Sequence, residues 1–170
     1  MLELRFPVPA DEAVLRAAYA ELESEGHDGF LLNGFQDDPA DFNGWLVRVK
    51  DHHLGQNLAQ GSVPASFYLG VADGEIVGRV SIRHELNDFL FNFGGHIGYM
   101  VRPRHRRKGH ATEMLRQAKA IAKALGIASA LVTCNDDNLG SVTVIESQGG
   151  VLENIVDENG RALRRYWIAL

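Results

Sequence analysis

The sequence has little cysteine and no long hydrophobic run. Cys134 is the only cysteine in 170 residues, which excludes a disulfide framework and a multi-cysteine zinc site. No apolar stretch approaches the roughly 20 residues that span a bilayer. The first residues carry no basic segment followed by an apolar one, so we expect no secretory signal. These absences predict a reduced, cytoplasmic protein.

Basic residues are fewer than acidic residues. The chain has 17 Lys and Arg against 22 Asp and Glu, a net charge of −5, which argues against a broad nucleic-acid-binding surface. No repeat, low-complexity tract or break in composition divides the chain, and its length suits one hydrophobic core. We therefore expect one domain over residues 1–170, with neither a nucleic-acid nor a membrane partner.

Hydrophobic periodicity predicts alternating helices and strands. The first of four expected helices runs from Asp11 to Gly26. The second has Asp38 as its N-cap and Pro39 at its first helical position, and it ends before Gly55 or Gly61. The third ends at Leu125, and the fourth covers residues 139–148. Strands are expected over 2–8, 67–71, 76–82, 95–101, 127–134, 151–156 and 163–169. This order predicts an α/β or α+β sheet covered by helices.

A basic stretch separates the fourth strand from the third helix. Small residues at Gly109 and Ala111 let a ligand approach the helix N-terminus, where backbone N–H groups are unpaired and the dipole is positive. This pattern favours a pyrophosphate cradle, and the alternative is an ordinary solvated turn. Lys108 precedes Gly109, which does not fit a Walker loop, and the dinucleotide pattern GxGxxG is missing. The expected flanking cations are Arg102, Arg104, Arg106, Arg107 and Lys108.

Two blocks of the sequence resemble the GCN5-related N-acetyltransferase (GNAT) superfamily over essentially the whole chain. Arg106, Gly109 and Ala111 match its Arg/Gln-x-x-Gly-x-Gly/Ala motif at the start of the helix after the fourth strand. The second block resembles the family's fifth strand at 130–135, its Asn-x-x-Ser/Ala motif at 138–141 and the helix end at 145–150. Residues 83–87 and 94–99 are further similar to an uncharacterised bacterial branch of predicted acetyltransferases.

The resemblance implies the α/β (α+β) GNAT fold and acetyl-CoA (coenzyme A) as the cofactor. That fold has a mixed sheet of about seven strands, splayed by a bulge between the fourth and fifth, and about four flanking helices. Strand backbone groups would pair with the pantetheine arm, and the loop after that strand would hold the pyrophosphate. The cofactor-binding residues implied are Tyr99, Met100, Val101, Arg106, Arg107, Lys108, Gly109, His110, Ala111, Thr112, Asn138 and Ser141.

The catalytic residues depart from the family's pattern. Many members carry a tyrosine, the general acid toward the leaving thiolate, where this chain has Ile145. Ser141, a water or the oriented backbone must serve instead, or the chain binds acetyl-CoA without turnover. The candidate general bases are His84 and His96, with His84 favoured. The alternative for His96 is a satisfied buried imidazole that orients the loop over residues 83–87, and the histidine spacing suggests no metal site.

The resemblance implies an N-acetyltransferase that moves an acetyl group from acetyl-CoA directly to a primary amine of a small molecule or peptide. One alternative is a sensor that binds acyl-CoA without turnover, and a more distant one is a nucleotide-binding module with the same cradle. The apolar loop over residues 89–93 leaves three interpretations open, namely burial, an acceptor pocket or a homodimer contact. Cys134 is expected to be a small buried hydrophobic residue.

Overall fold

A computed structural model describes residues 1–27 and 29–170 of the chain. The described residues form seven strands and four α-helices, in the order that the sequence predicts. The helices are α1 (Glu12–Glu23), α2 (Phe42–Leu54), α3 (His110–Ala124) and α4 (Leu139–Ser147). The strands are β1 (Leu2–Arg5), β2 (Ala65–Ala72), β3 (Glu75–Arg83), β4 (Ile97–Val101), β5 (Ser129–Asn135), β6 (Val151–Glu158) and β7 (Arg161–Ala169).

The strands form two antiparallel sheets. The first has the order β1-β2-β3-β4 and the second the order β5-β7-β6. The edge strands β4 and β5 lie next to each other where the sheets meet, and the N–H of His96 donates to the carbonyl of Leu131 across the junction at 2.7 Å. The separation of the fourth and fifth strands, and with it the fold class implied by the resemblance, is confirmed.

The junction is built without the implied bulge. Within the described β3–β4 ladder, pairing runs from Gly78–Val101 to Ile82–Ile97 with no shift in register. The close approach of the sheets depends instead on Gly95, which has a φ of 68°. A Cβ at Gly95 would lie 2.6 Å from the Leu131 carbonyl oxygen, so only glycine fits this position.

Helices cover both faces of the first sheet. The α1–α2 face is packed around a core that includes Trp45 and Phe67, and the α3–α4 face around one that includes Met114. Because successive residues of a strand point to opposite faces, Tyr99 packs on the α3–α4 side and Met100 on the α1–α2 side. β4 therefore presents different side chains to the two sides of the junction.

Strand β1 and helix α2 differ in extent from the prediction. The predicted Asp38 N-cap is wrong, because α2 begins at Phe42 and the Asp41 carboxylate caps it by accepting the Gly44 N–H at 2.8 Å. Strand β1 ends at Arg5 rather than at residue 8, since Pro7 has no N–H to continue a ladder.

The loop before β4 is helical in part. Residues Leu90–Gly94 form a short π-helical segment, and β4 begins at Ile97 rather than at residue 95. Leu90 is buried, whereas Phe89 and Phe91 are exposed. Within residues 1–27 and 29–170, no helix combines the length and the apolar character that crossing a membrane requires.

Candidate active site

One edge of strand β4 has no partner strand among the described residues. On its other edge β4 pairs with β3, and the Arg102 N–H donates to the Val77 carbonyl at 2.9 Å. The backbone N–H and C=O groups of the even-numbered residues therefore point towards β3. Backbone groups alternate in direction along an antiparallel strand, so Tyr99 and Val101 present their N–H and C=O groups to the junction. Such an edge accepts an added extended chain. Met100 turns its backbone groups to β3 instead.

The loop between β4 and α3 carries a run of unpaired backbone donors. The N–H groups of residues 107–112 donate to no other described residue, and α3 begins directly after its N-cap Gly109. Arg107 and Gly109 have positive φ angles of 61° and 81°. Consecutive free N–H groups beside the positive end of a helix form a binding site for phosphate. The cradle predicted from the sequence has the local geometry it needs.

Fewer cations flank this cradle than the sequence suggested. Arg102 is 2% exposed and its guanidinium binds the Glu21 carboxylate at 2.6 Å, so the expectation that its charge attracts phosphate is wrong. The Arg106 guanidinium binds Glu25 at 2.7 Å and the Val101 carbonyl at 3.3 Å. Three of the predicted cations are exposed and have no ion pair to another described residue: Arg104, whose Nε donates to Nε2 of His105 at 3.1 Å, Arg107 and Lys108.

Two hydroxyl groups approach each other at the junction. The Tyr99 hydroxyl is buried and has no hydrogen-bond partner among the described residues. Ser141, in the first turn of α4, is its hydroxyl neighbour. Burial raises the pKa of Tyr99 to about 12, against a smaller opposing effect of Ser141. A buried polar atom without a partner is rare in folded proteins, so the Tyr99 hydroxyl is a candidate for contact with a ligand.

Asn138 has a structural role beside this pair. Its side-chain oxygen accepts the Ser141 N–H at 3.1 Å and so caps α4. Its amide NH2 group makes no hydrogen bond to another described residue, and the side chain is exposed. An amide can accept and donate at once, so Asn138 can cap the helix and still donate to the pantetheine arm.

A cavity of about 660 Å³ opens on the α1–α2 side of β4. It is lined by Met100, by residues 135–137 at the end of β5, by residues 160–162 at the β6–β7 turn and by residues 26, 27 and 29 after α1. Asp136 is paired with Arg164 at 2.7 Å, and Asp137 is exposed without an ion pair to another described residue. The volume suits a small-molecule site.

His84 lies outside this cavity, at the end of β3. Its Nε2 contacts the Ser66 hydroxyl at 2.8 Å, and the same hydroxyl contacts Nδ1 of His53 at 2.8 Å. Burial lowers the pKa of His84, with a further decrease from His53 and an opposing effect of Glu85. His84 is therefore neutral near pH 7, which is the state that a general base requires.

His96 also lies outside the cavity and has a structural contact. It is 8% exposed, and its Nδ1 accepts the Leu131 N–H at 2.9 Å. Burial lowers the pKa of His96, and the nearby Arg83 charge lowers it further. Protonation of Nδ1 would break the bond to Leu131. This geometry favours the structural alternative for His96 over a role as base.

Two further positions limit the chemistry of the junction. Ile145 is fully buried in the α3–α4 core, so α4 offers no acid there. Cys134 is 9% exposed, and burial raises its pKa to about 11, which keeps it a weakly nucleophilic thiol near pH 7.

Among the described residues, no cluster of three His, Cys, Asp or Glu side chains is arranged to hold a metal ion.

Sequence reasoning missed two arginines on β3. Arg79 and Arg83 alternate with apolar residues, a pattern typical of a strand with one solvated face. Both guanidiniums instead lie over Gly98 of β4, where an added Cβ would be 3.1 Å from Arg83 Nη1 and 3.7 Å from Arg79 Nη1. A glycine inside a strand often marks such a close approach, and it is the signal that would have found them.

In a comparison with protein families, residues 1–151 match the acetyltransferase (GNAT) domain. No curated protein matches the chain in sequence.

Solved structures with the same fold cover nearly the whole chain. YncA of Salmonella typhimurium, solved with its cofactor acetyl-CoA, is 17% identical with a TM-score of 0.68, and the match covers 99% of this chain and 94% of YncA. RimL, a ribosomal α-N-protein acetyltransferase in complex with coenzyme A, is 20% identical with a TM-score of 0.69 and coverage of 99% and 94%. The spermidine/spermine N-acetyltransferase SpeG of Vibrio cholerae is 18% identical with a TM-score of 0.66 and coverage of 99% and 93%.

Proposed function

Because the chain belongs to the acetyltransferase (GNAT) family, we propose that it transfers an acetyl group from acetyl-CoA directly to a primary amine. The observation that carries this proposal is the run of unpaired N–H groups over residues 107–112, which follows directly on the free edge of β4. These features supply partners for a pyrophosphate and for the amides of a pantetheine arm. YncA and RimL share the fold and hold acetyl-CoA and coenzyme A.

The residues of the junction fit this cofactor. Backbone N–H groups from Arg107 to Thr112 would hold the pyrophosphate, and Arg107 and Lys108 would add electrostatic attraction. Tyr99 and Val101 would pair with the pantetheine arm through their backbone groups. Asn138 would donate its free amide hydrogen atoms. When bound, acetyl-CoA supplies the acetyl group as a thioester.

Tyr99 is the group that we assign to protonate the leaving thiolate. Its hydroxyl is buried at the junction without a partner, and its pKa of about 12 means that it holds its proton at neutral pH. Ser141 stands next to it and can orient this hydroxyl. Tyr99 would thus replace, from β4, the tyrosine that the chain lacks at Ile145. A thiol has a pKa of about 8.5, so the proton donor accelerates a step that is already feasible.

His84 is the side chain that we assign to remove the proton from the acceptor amine. Its lowered pKa keeps it neutral, and its contact with Ser66 fixes the imidazole. His84 does not line the acceptor cavity, so a bridging water has to carry the proton between the amine and the imidazole.

The state of Cys134 supports direct transfer. A covalent route through the protein needs a nucleophile, and thiolate is the reactive form of cysteine. Burial holds the Cys134 pKa at about 11, so little thiolate forms near pH 7. The cavity beside Met100 provides a separate place for the amine, as a ternary complex requires.

The acceptor class that we propose is a primary amine. RimL is named for a protein substrate and SpeG for polyamines, so this fold accommodates both peptide and small-molecule acceptors. Cytoplasmic location and a homodimer stay predictions.

The proposal is tested by release of the coenzyme A thiol from acetyl-CoA in the presence of a panel of amino acids, polyamines and N-terminal peptides. We expect release with at least one amine, together with competition by coenzyme A and none by ATP. Acetyl-CoA binding without amine-dependent release would instead indicate a sensor. Competition by ATP would indicate a nucleotide-binding module.

A further inference from the structure

Arg79 and Arg83 lie on the acceptor side of the sheet with no counter-ion among the described residues. Arg79 is 6% exposed, its Nη2 donates to the Gly29 carbonyl at 2.6 Å, and its buried Nε has no hydrogen-bond partner in the described part of the chain. The Arg83 side chain makes no hydrogen bond or ion pair with another described residue, and burial lowers its pKa. Burial, with a contribution from the Arg83 charge, lowers the pKa of Arg79 to about 9.

Three other arginines with buried or partly buried side chains are paired with carboxylates, whereas Arg48 donates to the carbonyls of Asn33 and Gly34. The guanidinium of Arg102 binds Glu21, that of Arg165 binds Glu153 and that of Arg5 binds Asp11. Within residues 1–27 and 29–170, no carboxylate contributes to the electrostatic environment of Arg79 or Arg83. Arg79 is buried and Arg83 is half-buried, and two such adjacent cations repel each other and lose hydration, which costs free energy unless an anion joins them.

Neither arginine lines the acceptor cavity, but Arg79 lies directly behind two residues that do, Met100 and Gly29. Arg79 is the cross-strand partner of Met100, so the two side chains share a face of the sheet, and Met100 lines the cavity. The Gly29 carbonyl that accepts from Arg79 belongs to another residue that lines the cavity. Gly98 has no side chain, which leaves space over β4 for both guanidiniums.

We propose that Arg79 and Arg83 bind the carboxylate of an acceptor that carries both an amine and a carboxylate, as an amino acid does. This inference rests on the proposed transferase activity and defines its substrate class. Guanidinium forks match carboxylates in shape and charge. Asp137, which lines the cavity and has no ion pair to another described residue, provides negative charge for the ammonium end of such a molecule. An arginine pair and an unpaired carboxylate at one cavity favour a zwitterion over a polyamine.

The substrate class is tested with pairs of acceptors that differ only in the carboxylate. Suitable pairs are L-phenylalanine with phenethylamine and L-leucine with isopentylamine, each assayed for kcat/KM with saturating acetyl-CoA. A charge-assisted hydrogen bond is worth enough to predict about a 10- to 100-fold preference for the carboxylate-bearing member. Arg83→Gln should abolish the preference, and Arg83→Lys should retain part of it. Equal rates within the pairs, or a preference that survives Arg83→Gln, would overturn the proposal.

A binding measurement separates this inference from the transfer reaction. We expect N-acetylglycine to raise the thermal midpoint of the wild-type protein, N-acetylglycinamide to leave it unchanged, and Arg83→Gln to remove the effect. This result would support the site even if no amine were acetylated. A shift with inorganic phosphate and none with the carboxylate would overturn the carboxylate assignment, and no shift with either would overturn the anion site.

The free protein provides a third readout. If Arg83 serves to bind a ligand, Arg83→Met should melt no lower than the wild type, because it removes a half-buried cation that has no ion pair to another described residue. The matched control is Arg165→Met, which removes the ion-pair partner of the Glu153 carboxylate and should melt at a lower temperature than the wild type. A loss in Arg83→Met as large as in the control would indicate a structural arginine and overturn the proposal.

Discussion

His96 connects the two sheets by hydrogen bonds from its imidazole and its backbone to the backbone of Leu131. Nδ1 of His96 accepts the Leu131 N–H at 2.9 Å, and the His96 N–H donates to the Leu131 carbonyl at 2.7 Å. One histidine thereby satisfies both backbone groups of an edge residue on the second sheet. The start of the junction is thus set by a side chain as well as by strand pairing.

We predict that His96→Leu lowers the free energy of unfolding by about 1–3 kcal/mol, because it leaves the buried Leu131 N–H unsatisfied. His96→Asn should lose less, since its side-chain oxygen can take the place of Nδ1. Urea unfolding measures both. The rate of acetyl transfer per folded molecule should change little in either variant, and a large drop in rate with normal stability would show that His96 is the base.

For Tyr99 we predict that replacement by Phe lowers kcat by about 10- to 100-fold, at or below the usual range for a general acid, because a thiolate leaves without much assistance. The affinity for acetyl-CoA should be unchanged, since the backbone contacts remain. The control is Tyr166→Phe, which removes a hydroxyl bound to Glu146. Equal effects of the two variants would rule out a proton-donor role for Tyr99.

The pH profile reports on His84. The neutral imidazole is the active form, so the rate rises as pH increases through the His84 pKa. Since burial lowers that pKa, the rise should be complete at or below pH about 6.5, the ordinary histidine value. Deprotonation of Tyr99 should not lower the rate up to pH about 9, because the hydroxyl keeps its proton up to its pKa of about 12.

His84→Gln should lower kcat by about 100-fold and remove the acid limb of this profile. The control is His52→Gln, whose imidazole contacts the Arg48 carbonyl on α2. An unaltered profile in His84→Gln would mean that the amine arrives deprotonated and needs no histidine.

Gly109 and Gly126 form a matched pair for testing the cradle. Both adopt positive φ angles, 81° and 86°, and neither has an atom within 4 Å of an added Cβ. Replacement by Glu should therefore cost each site a similar strain of about 1–2 kcal/mol. Only Gly109→Glu places a carboxylate at the start of α3. We predict that it abolishes the rise in thermal midpoint with acetyl-CoA, and that Gly126→Glu retains it.

Local patterns predicted most of the fold. The Asp73-Gly74 turn between alternating runs indicates the β2–β3 hairpin, which the structure confirms. The start of α2 was misplaced because Asp38 and Asp41 are equivalent as N-cap residue types. The choice depends on Gly44, where a side chain would overlap the Asp41 carboxylate.

The site was less predictable because burial and pairing are tertiary properties. The cradle at Gly109 follows from a local motif and was predicted. Arg102 has the same basic character as Arg107 in sequence, yet its partner Glu21 lies on α1, far away along the chain. Arg79 resembles a residue on a solvated face until α1 and α2 cover that face.

The most direct test of the central claim is a single-turnover experiment with the protein in excess over acetyl-CoA and with L-phenylalanine as acceptor. Intact mass of the protein and of the amine is measured at successive times. We predict that the acetyl group passes from acetyl-CoA to the amine, with an equal release of coenzyme A thiol and no acetylated protein at any time. Transient acetylation of the protein, or acetyl-CoA that stays bound and intact in the presence of every amine tested, would contradict direct transfer.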